Sequence, residues 1–545
     1  MRLLAGTLAL ILLCSCSSDA ADAPPPVTYA EKDRPAEAKR LLTGRDWYRH
    51  AVFYEVNIRS FQDADGDGIG DLKGLISRLD DLQALGVDAL WLMPMYPTPF
   101  VDSGYDIADY RDINRDYGAL ADFDELLSKA HARGIRVMVD LVLNHTSDQH
   151  AWFTESRSSK TNPKADWYIW RDTPGDPNIG CGTVNDTFGK DAWKLDPTRN
   201  QYYFHRFYAG QPDLNYRNPE VVQATLDVAK FWLDRGVDGF RCDVIALLYE
   251  SKDGCDFIPE TQEYIRKLRA LLDGYPDRVM VAESTDYSGS SAYYGTGKDM
   301  FHMAFNFQYG YLWGLPFAGN AAKNVARPFE DSAKKNPEGA QDGLVIGSHD
   351  VNRAFVAARE IESRWLRAAF VQLTMPGTPY IYYGEELALR PGTQVVVDGR
   401  DSARTPMLWS KAAGFGFTTG KPWIAFGAEP EKTNLEVEKA DPKSTYSFYR
   451  KLLSVRRGRE AFGGGALQIL AADDPTVLFY TRASSDETYV MVVGMDEDDG
   501  HTATVAGANL PGDGQLLFGE GALVREGSAA KVTIPAAGTA IFRVR

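Results

Sequence analysis

The chain has 545 residues, is 44% hydrophobic and 25% charged, and so excludes disorder, collagen and coiled coil as its dominant state. A net charge of −16 argues against a nucleic-acid footprint, and five cysteines in this length exclude a disulfide scaffold or a cysteine zinc cluster. Aromatic residues reach 12%, which suits neutral stacking ligands such as sugars, or a large core.

Met1-Arg2 precedes an apolar run, Leu3 to Leu13, that is too short to span a bilayer and has the form of a secretory signal. The run ends Leu13-Cys14-Ser15-Cys16. This resembles a bacterial lipoprotein signal over residues 1–16, with Cys16 as the lipidated first residue of an exported, membrane-anchored chain. A plain signal cut near Ala20 to Ala23 is the other reading. Residues 17–43, with Pro24-Pro25-Pro26, read as a flexible tether. In an oxidising compartment Cys181 and Cys255 are candidates to pair, and Cys242, in an apolar strand, reads as a buried thiol.

From residue 50 short apolar runs alternate with amphipathic stretches. Strands are expected at Val52–Val56, Ala89–Leu92, Val137–Leu141, Gly239–Asp243, Val279–Glu283, Met303–Phe307, Leu344–Ile346 and Pro379–Tyr383. Helical patterns fill the gaps, among them Leu72–Leu85, Phe123–Arg133, Glu220–Arg235, Pro259–Leu272 and Ser363–Leu373. Eight such units predict an α/β fold, a (β/α)8 TIM barrel. After the third strand the connection is too long for a structureless loop, so residues 144–215 read as a small inserted domain. The barrel then comprises 44–143 and 216–457. Residues 458–545 carry short strands with Gly-rich turns and read as a C-terminal antiparallel β-domain.

Just after the first strand, Asp63-Ala64-Asp65-Gly66-Asp67-Gly68-Ile69-Gly70-Asp71 sets carboxylates at alternate positions, with the Ile69 carbonyl between the last two. Hard oxygens in this alternation suit a structural Ca²⁺, although Gly74 stands where a bidentate Glu is usual.

Polar residues cluster where apolar strands end: Asp140, Asn144 and His145; Arg241 and Asp243; Glu283; His349 and Asp350. A carboxylate closing an apolar strand costs desolvation unless it is paired or used. In a barrel these ends form the face that carries chemistry.

Asp140-Leu141-Val142-Leu143-Asn144-His145, Gly236-Val237-Asp238-Gly239-Phe240-Arg241-Cys242-Asp243, Val281-Ala282-Glu283 and Ser348-His349-Asp350 resemble, in order, four motifs of the α-amylase superfamily, glycoside hydrolase family 13. Gly104-Tyr105-Asp106 is similar to a fifth. The usual residue before His349 is Asn. The resemblance implies a retaining hydrolase of α-glucosidic bonds, with Asp243 as nucleophile, Glu283 as acid/base and Asp350 on the sugar hydroxyls. It implies a raised pKa for Glu283 and a low one for Asp243, with Arg241 holding Asp243 ionised. Tyr105 is expected to stack on the sugar, His145 and His349 to hydrogen-bond it, and Asp106 to pair with Arg404 as a clasp on the terminal unit.

Gln211-Pro212-Asp213-Leu214-Asn215 and Arg400-Asp401-Ser402-Ala403-Arg404-Thr405-Pro406-Met407-Leu408-Trp409 resemble signatures of the oligo-1,6-glucosidase, α-glucosidase and trehalose synthase branch. Ala246-Leu247 stand where endo-acting amylases carry Lys-His. The expected substrate is therefore a short α-glucan oligosaccharide, and Val244 leans the expectation towards α-1,6 bonds. The alternatives are an α-amylase, a trehalose synthase and, with all three acids present, more remotely a non-catalytic binding protein.

Overall fold

The computed structural model describes residues 41–176, 185–251, 256–284, 290–312 and 321–545. The expectations for Cys16, Cys181, Cys255, the signal and the tether up to residue 40 lie outside these residues.

In chain order the first strands are β1 (Phe53–Val56), β2 (Ala89–Leu92), β3 (Arg136–Val142), β4 (Trp170–Arg171), β5 (Trp193–Asp196), β6 (Gln201–Phe204), β7 (Gly239–Asp243), β8 (Val279–Ala282), β9 (Met303–Asn306), β10 (Gln341–Val345) and β11 (Thr378–Tyr382). Parallel pairing closes β1, β2, β3, β7, β8, β9, β10 and β11 into one barrel, with β11 returning to β1. These strands are buried along their whole length, for example Phe53-Tyr54-Glu55-Val56, as parallel strands covered on both faces must be. The flanking helices follow the expected stripes. Pro219–Arg235 starts on an Asn218 side-chain cap with Pro219 in its first turn, and ends at Gly236 with φ 102°. Its Trp232 packs edge-on to Tyr96 and Phe123.

Two elements differ from expectation. Leu72–Leu85 is two helices, Leu72–Ser77 and Leu79–Leu85, broken at Arg78. The guanidinium of Arg78 lies 4.2 Å over the Trp409 ring and donates to Gln62 Oε1 at 2.7 Å, so it is tied to the barrel's other end of sequence. Strand β10 begins at Gln341, before its apolar run. The polar Asp342 is tolerated there because Ser290, Tyr294, Asn306, Ser332 and Asn336 all donate to it.

The insertion forms a three-stranded antiparallel sheet, β4-β6-β5. Its two ends meet in bridges His145–Asp213 and Tyr168–Leu214, which place its base over the end of β3. The C-terminal strands are β12 (Ala466–Leu470), β13 (Val477–Ala483), β14 (Thr488–Gly494), β15 (His501–Val505), β16 (Gln515–Gly519), β17 (Ala522–Glu526), β18 (Ala529–Ile534) and β19 (Thr539–Arg543). They form sheets β12-β13-β14-β19-β16 and β15-β18-β17. Strand alternation divides the first sheet's loyalties. Leu478, Tyr480, Met491 and Val493 join the barrel's core, while Val477, Phe479, Val490 and Val492 pack on the second sheet.

At the closed, N-terminal end of the barrel Asp238 precedes β7 and is buried. It accepts from His131 at 2.6 Å, Arg136 at 3.2 Å, Arg278 at 3.3 Å and the Val137 amide at 2.9 Å. Burial works against its ionisation, but these partners outweigh it and hold Asp238 well below the carboxylate range. Asp238→Ala is expected to cost about 3–5 kcal/mol at pH 7 and to leave KM unchanged. A group with a depressed folded pKa contributes fully above its unfolded value, about 3.9, and loses that contribution as pH falls through its folded value. The gap between wild type and variant in urea denaturation should therefore narrow below about pH 4. Equal stabilities at pH 7 would refute the account.

Candidate active site

Register brings the polar strand ends together. Asp140 of β3 pairs with Arg241 of β7, and Arg241 pairs with Val281 of β8. Arg241 and Asp243 are two residues apart and share the barrel-facing side of β7. The Arg241 guanidinium is buried and serves three carboxylates. Nη1 donates to Asp140 Oδ1 at 2.9 Å and Asp243 Oδ1 at 2.5 Å, and Nη2 lies 2.9 Å from Glu283 Oε2. Glu283 also accepts from the Val244 amide at 2.9 Å. Val244 holds φ 35° and ψ 37°, a left-handed conformation that costs a β-branched residue on the order of 1–3 kcal/mol. This bend turns its N–H towards the acid.

Burial pushes Asp243 well above the usual carboxylate range, Glu283, Asp140 and Asp350 add to that, and Arg241 opposes it. The expectation of a low pKa at Asp243 is thus corrected. One guanidinium divided among three acids does not outweigh the cost of burial together with their mutual repulsion.

The pocket floor is aromatic. Tyr105 stacks on His349 with centroids 5.2 Å apart and planes 12° apart, and Trp91 meets His349 edge-on. Tyr105 Oη lies 2.9 Å from Asp140 Oδ2 and 2.7 Å from His349 Nε2. His349 Nε2 is also 3.2 Å from Asp350 Oδ2. His145 is buried beside Gln211 Nε2 at 3.1 Å and the Tyr105 carbonyl at 3.2 Å. Burial lowers its pKa to about 4, so it is neutral at pH 7.

The rim departs from the expected clasp. Asp106 is fully buried and accepts from the amides of Val101 and Asp102 at 2.8 and 3.0 Å. It braces its own loop and does not meet Arg404. The carboxylate–guanidinium pair across the rim is Asp102–Arg400. Arg400 also reaches Asp350 Oδ1 at 2.7 Å and Asp398 at 2.9 Å, and Gln211 donates to Asp102 at 3.0 Å. Arg404 lies beneath: Nε donates to the His349 carbonyl at 3.0 Å, Nη1 contacts Asp398 at 3.1 Å, and Nη2 sits 3.7 Å from Asp350. Nη2 is buried with no hydrogen-bond acceptor among the described residues, and Asp350 is its nearby carboxylate. An apolar cavity of about 400 Å³, lined in part by Phe307, Ile346, Val351 and Asn352, adjoins Asp350. Cys242 is a buried thiol, as expected, with its pKa pushed up by burial.

Asp102, Arg400 and Asp398 were not singled out from sequence, although Arg400 lies within the branch signature. A signal was present: Asp102 stands three residues before Tyr105 on the same turn, with Gly104 at φ 109° between them.

Away from this face, Asp63, Asp65 and Asp71 bring carboxylate oxygens within 4.8 Å of one another. Asp67 is outside that group, with Oδ1 accepting from the Ile69 amide at 2.7 Å. Asp71 also caps the helix Leu72–Ser77 through the Gly74 amide. Gly68 is required at φ 97°, because a Cβ there would lie 1.8 Å from the Lys421 carbonyl oxygen.

A barrel with paired acids at its C-terminal face and a sugar-sized aromatic floor defines a glycosidase-type site. The family model for the α-amylase catalytic domain matches residues 56–465, and the chain belongs to that family of enzymes. It is 36% identical to a trehalose synthase/amylase of Mycolicibacterium smegmatis over 82% of each chain. It is 36% identical to a probable α-glucosidase of Rhizobium meliloti, over 84% of this chain and 91% of that one. It is 34% identical to an oligo-1,6-glucosidase of Parageobacillus thermoglucosidasius, over 83% and 91%. Among solved structures, a single-residue mutant of the trehalulose synthase MutB superposes with a TM-score of 0.80 at 32% identity, over 91% of this chain and 100% of that chain.

Proposed function

We propose that the enzyme hydrolyses short α-glucosides with retention, removing single glucose units from non-reducing ends. The observation that carries this reading is Arg400, which ties Asp102 on one rim loop to Asp350 in the loop after β10. A bridge across that side leaves a pocket for one terminal unit instead of a cleft that a long chain can pass through. In this reading Tyr105 underlies the ring, and Asp350, His349 and Arg404 take its hydroxyls. Asp243 attacks the anomeric carbon while Glu283 protonates the departing oxygen. Glu283 then takes a proton from the water that opens the glycosyl ester. Asp243 and Glu283 share one guanidinium, which supports the narrow carboxyl separation of retaining enzymes, about 5–5.5 Å. Attack needs an ionised Asp243, and the Arg241 guanidinium, whose Nη1 lies 2.5 Å from Asp243 Oδ1, favours that form.

Isomerisation is the second reading, favoured by the relatives named trehalose synthase. It uses the same glycosyl ester, with the released sugar in place of water as acceptor. Asp243→Ala and Glu283→Gln are expected to fold normally and to lose at least about 10²–10⁴-fold in turnover of a chromogenic α-glucoside. Near-normal rates in either purified variant would remove the assignment.

Timed product analysis on maltose, isomaltose, trehalose and maltoheptaose separates the remaining choices. Glucose as the first product from maltoheptaose is expected. Mid-sized fragments without glucose would replace the pocket with an amylase-type cleft, and conversion of maltose to trehalose would favour the synthase.

We further propose that Asp63, Asp65 and Asp71, with the Ile69 carbonyl, hold a Ca²⁺ that stabilises the fold and takes no part in chemistry. Three hard carboxylate donors converging on one point, with Asp71 already fixed as a helix cap, support this fit. A ligand bound only by the folded state raises its stability by mass action. Chelator should lower Tm, and added Ca²⁺ should restore it. An unchanged melt with no calcium by elemental analysis would rule the site out.

A further inference from the structure

Glu55 has no role in the chemistry described above, yet it lies under the centre of the site. It sits in β1 opposite Trp91 of β2 and Tyr382 of β11, and is 1% exposed. Its Oε1 is 2.5 Å from Nδ1 of His349, which is equally buried. On the other side of the ring, Nε2 faces Asp350 Oδ2 and Tyr105 Oη. Tyr105 has one hydroxyl proton, and its Oη lies 2.9 Å from Asp140 Oδ2, a carboxylate whose other oxygen receives Arg241. If that proton is spent on Asp140, Tyr105 can only accept from His349. Both ring nitrogens then face acceptors, and both must carry hydrogen.

We propose that Glu55 is a positioning residue of this site: its carboxylate holds the Nδ1–H of His349 from inside the barrel, fixes the plane of a doubly protonated ring, and so turns Nε2–H towards Tyr105 and Asp350, the carboxylate that takes a hydroxyl of the bound glucosyl unit. The sugar part rests on the functional reading above; the ring's protonation does not. An outer acceptor that fixes the inner donor is a general device for histidine.

The surrounding charges agree with the geometry. Burial alone would depress His349, but Asp350 and Glu55 outweigh it and raise its pKa to about 9. The other charged or titratable groups around this pair are Asp140 and Arg241 from β3 and β7, Tyr105 from the loop after β2, Arg404 at the His349 carbonyl, and Tyr382 and Glu385 at and beyond the end of β11. Burial pushes Glu55 itself up, and His349 and Arg241 pull it back. A cationic His349 also keeps Asp350 ionised to accept from sugar hydroxyls.

The test uses the full-length enzyme with isotope-labelled histidine. The chain has 8 histidines, and His349→Gln assigns the signal of interest. In the wild type, His349 should stay protonated to about pH 9. Glu55→Gln should bring its midpoint down by at least about one pH unit. In that variant the inhibition constant of glucose should match wild type at pH 6 and be about threefold or more weaker at pH 8.5, when the ring is neutral. Glu55→Asp, which keeps the charge, should recover part of both effects.

A purely structural Glu55 would change stability without moving the His349 midpoint. A wild-type midpoint near 6.5, or one that Glu55→Gln leaves in place, would overturn the proposal. Should Glu55→Gln not fold, the wild-type titration decides alone. The titration needs no turnover, so a wrong substrate assignment would show separately, as a protonated His349 in an enzyme that does not bind glucose.

Discussion

The site is organised around a single buried guanidinium. Arg241 is buried and meets Asp140, Asp243 and Glu283 from three different strand ends. Without a cation there, three acids in a low-dielectric space would repel one another and each would incur its own desolvation cost. A fully delocalised, always-charged fork is suited to this in a way that a lysine is not, because its donors diverge in one plane. The geometry of the acids follows. Asp243 reaches the fork from two residues along the same strand, and Glu283 from the end of the next. Val244 is bent into a left-handed conformation and gives Glu283 a second, backbone donor. The strained turn is held because the strand before it and the acid beside it are both fixed.

Around this centre the loops build the pocket in pairs that bridge great sequence distances. Asp102 and Arg400 meet across the rim, and Arg404 beneath them touches Ser103, Asp398 and the His349 carbonyl. The insertion contributes Gln211, whose amide ties Asp102 to His145. Because its two ends are bridged at His145 and Asp213, the insertion acts as an extension of the barrel's end, and Gln211 is placed by backbone pairing.

What was legible in the sequence divides along a physical line. The barrel was legible because parallel strands buried on both faces are near-continuous apolar runs, and β7 matches its expected bounds, Gly239–Asp243. Asp140, Arg241, Asp243, Glu283, His349 and Asp350 were legible because a charge that ends such a run has few structural uses. The rim was legible only as two loops. A loop's residues can be assigned to a neighbourhood, but the turn decides which carboxylate points inward. Here it turns Asp106 onto its own backbone and Asp102 outward to Arg400. The Arg78 break and the early start of β10 were not legible, since both rest on partners far away in sequence, Trp409 for Arg78 and Ser290 for Asp342. Glu55 was hidden inside a strand in which every residue is buried, so burial pattern could not mark its side chain as part of the site.

The charge balance of the finished pocket bears on how such a site favours reaction over binding. Glu55, Asp102, Asp140, Asp243, Glu283, Asp350 and Asp398 face Arg241, Arg400, Arg404 and a protonated His349. Acids outnumber cations, and burial, with the neighbouring acids adding to it, pushes Asp243 up. A neutral sugar gains little from such a field. The oxocarbenium-like transition state, which places positive charge at the anomeric carbon, gains a great deal. Interactions that strengthen only as charge develops raise turnover instead of merely tightening substrate binding. Every cation of this set is paired with at least one of these carboxylates. Arg400 and Arg404 reach Asp350, and Arg241 joins Asp140, Asp243 and Glu283, so each cation organises carboxylates around the place where the developing positive charge must form.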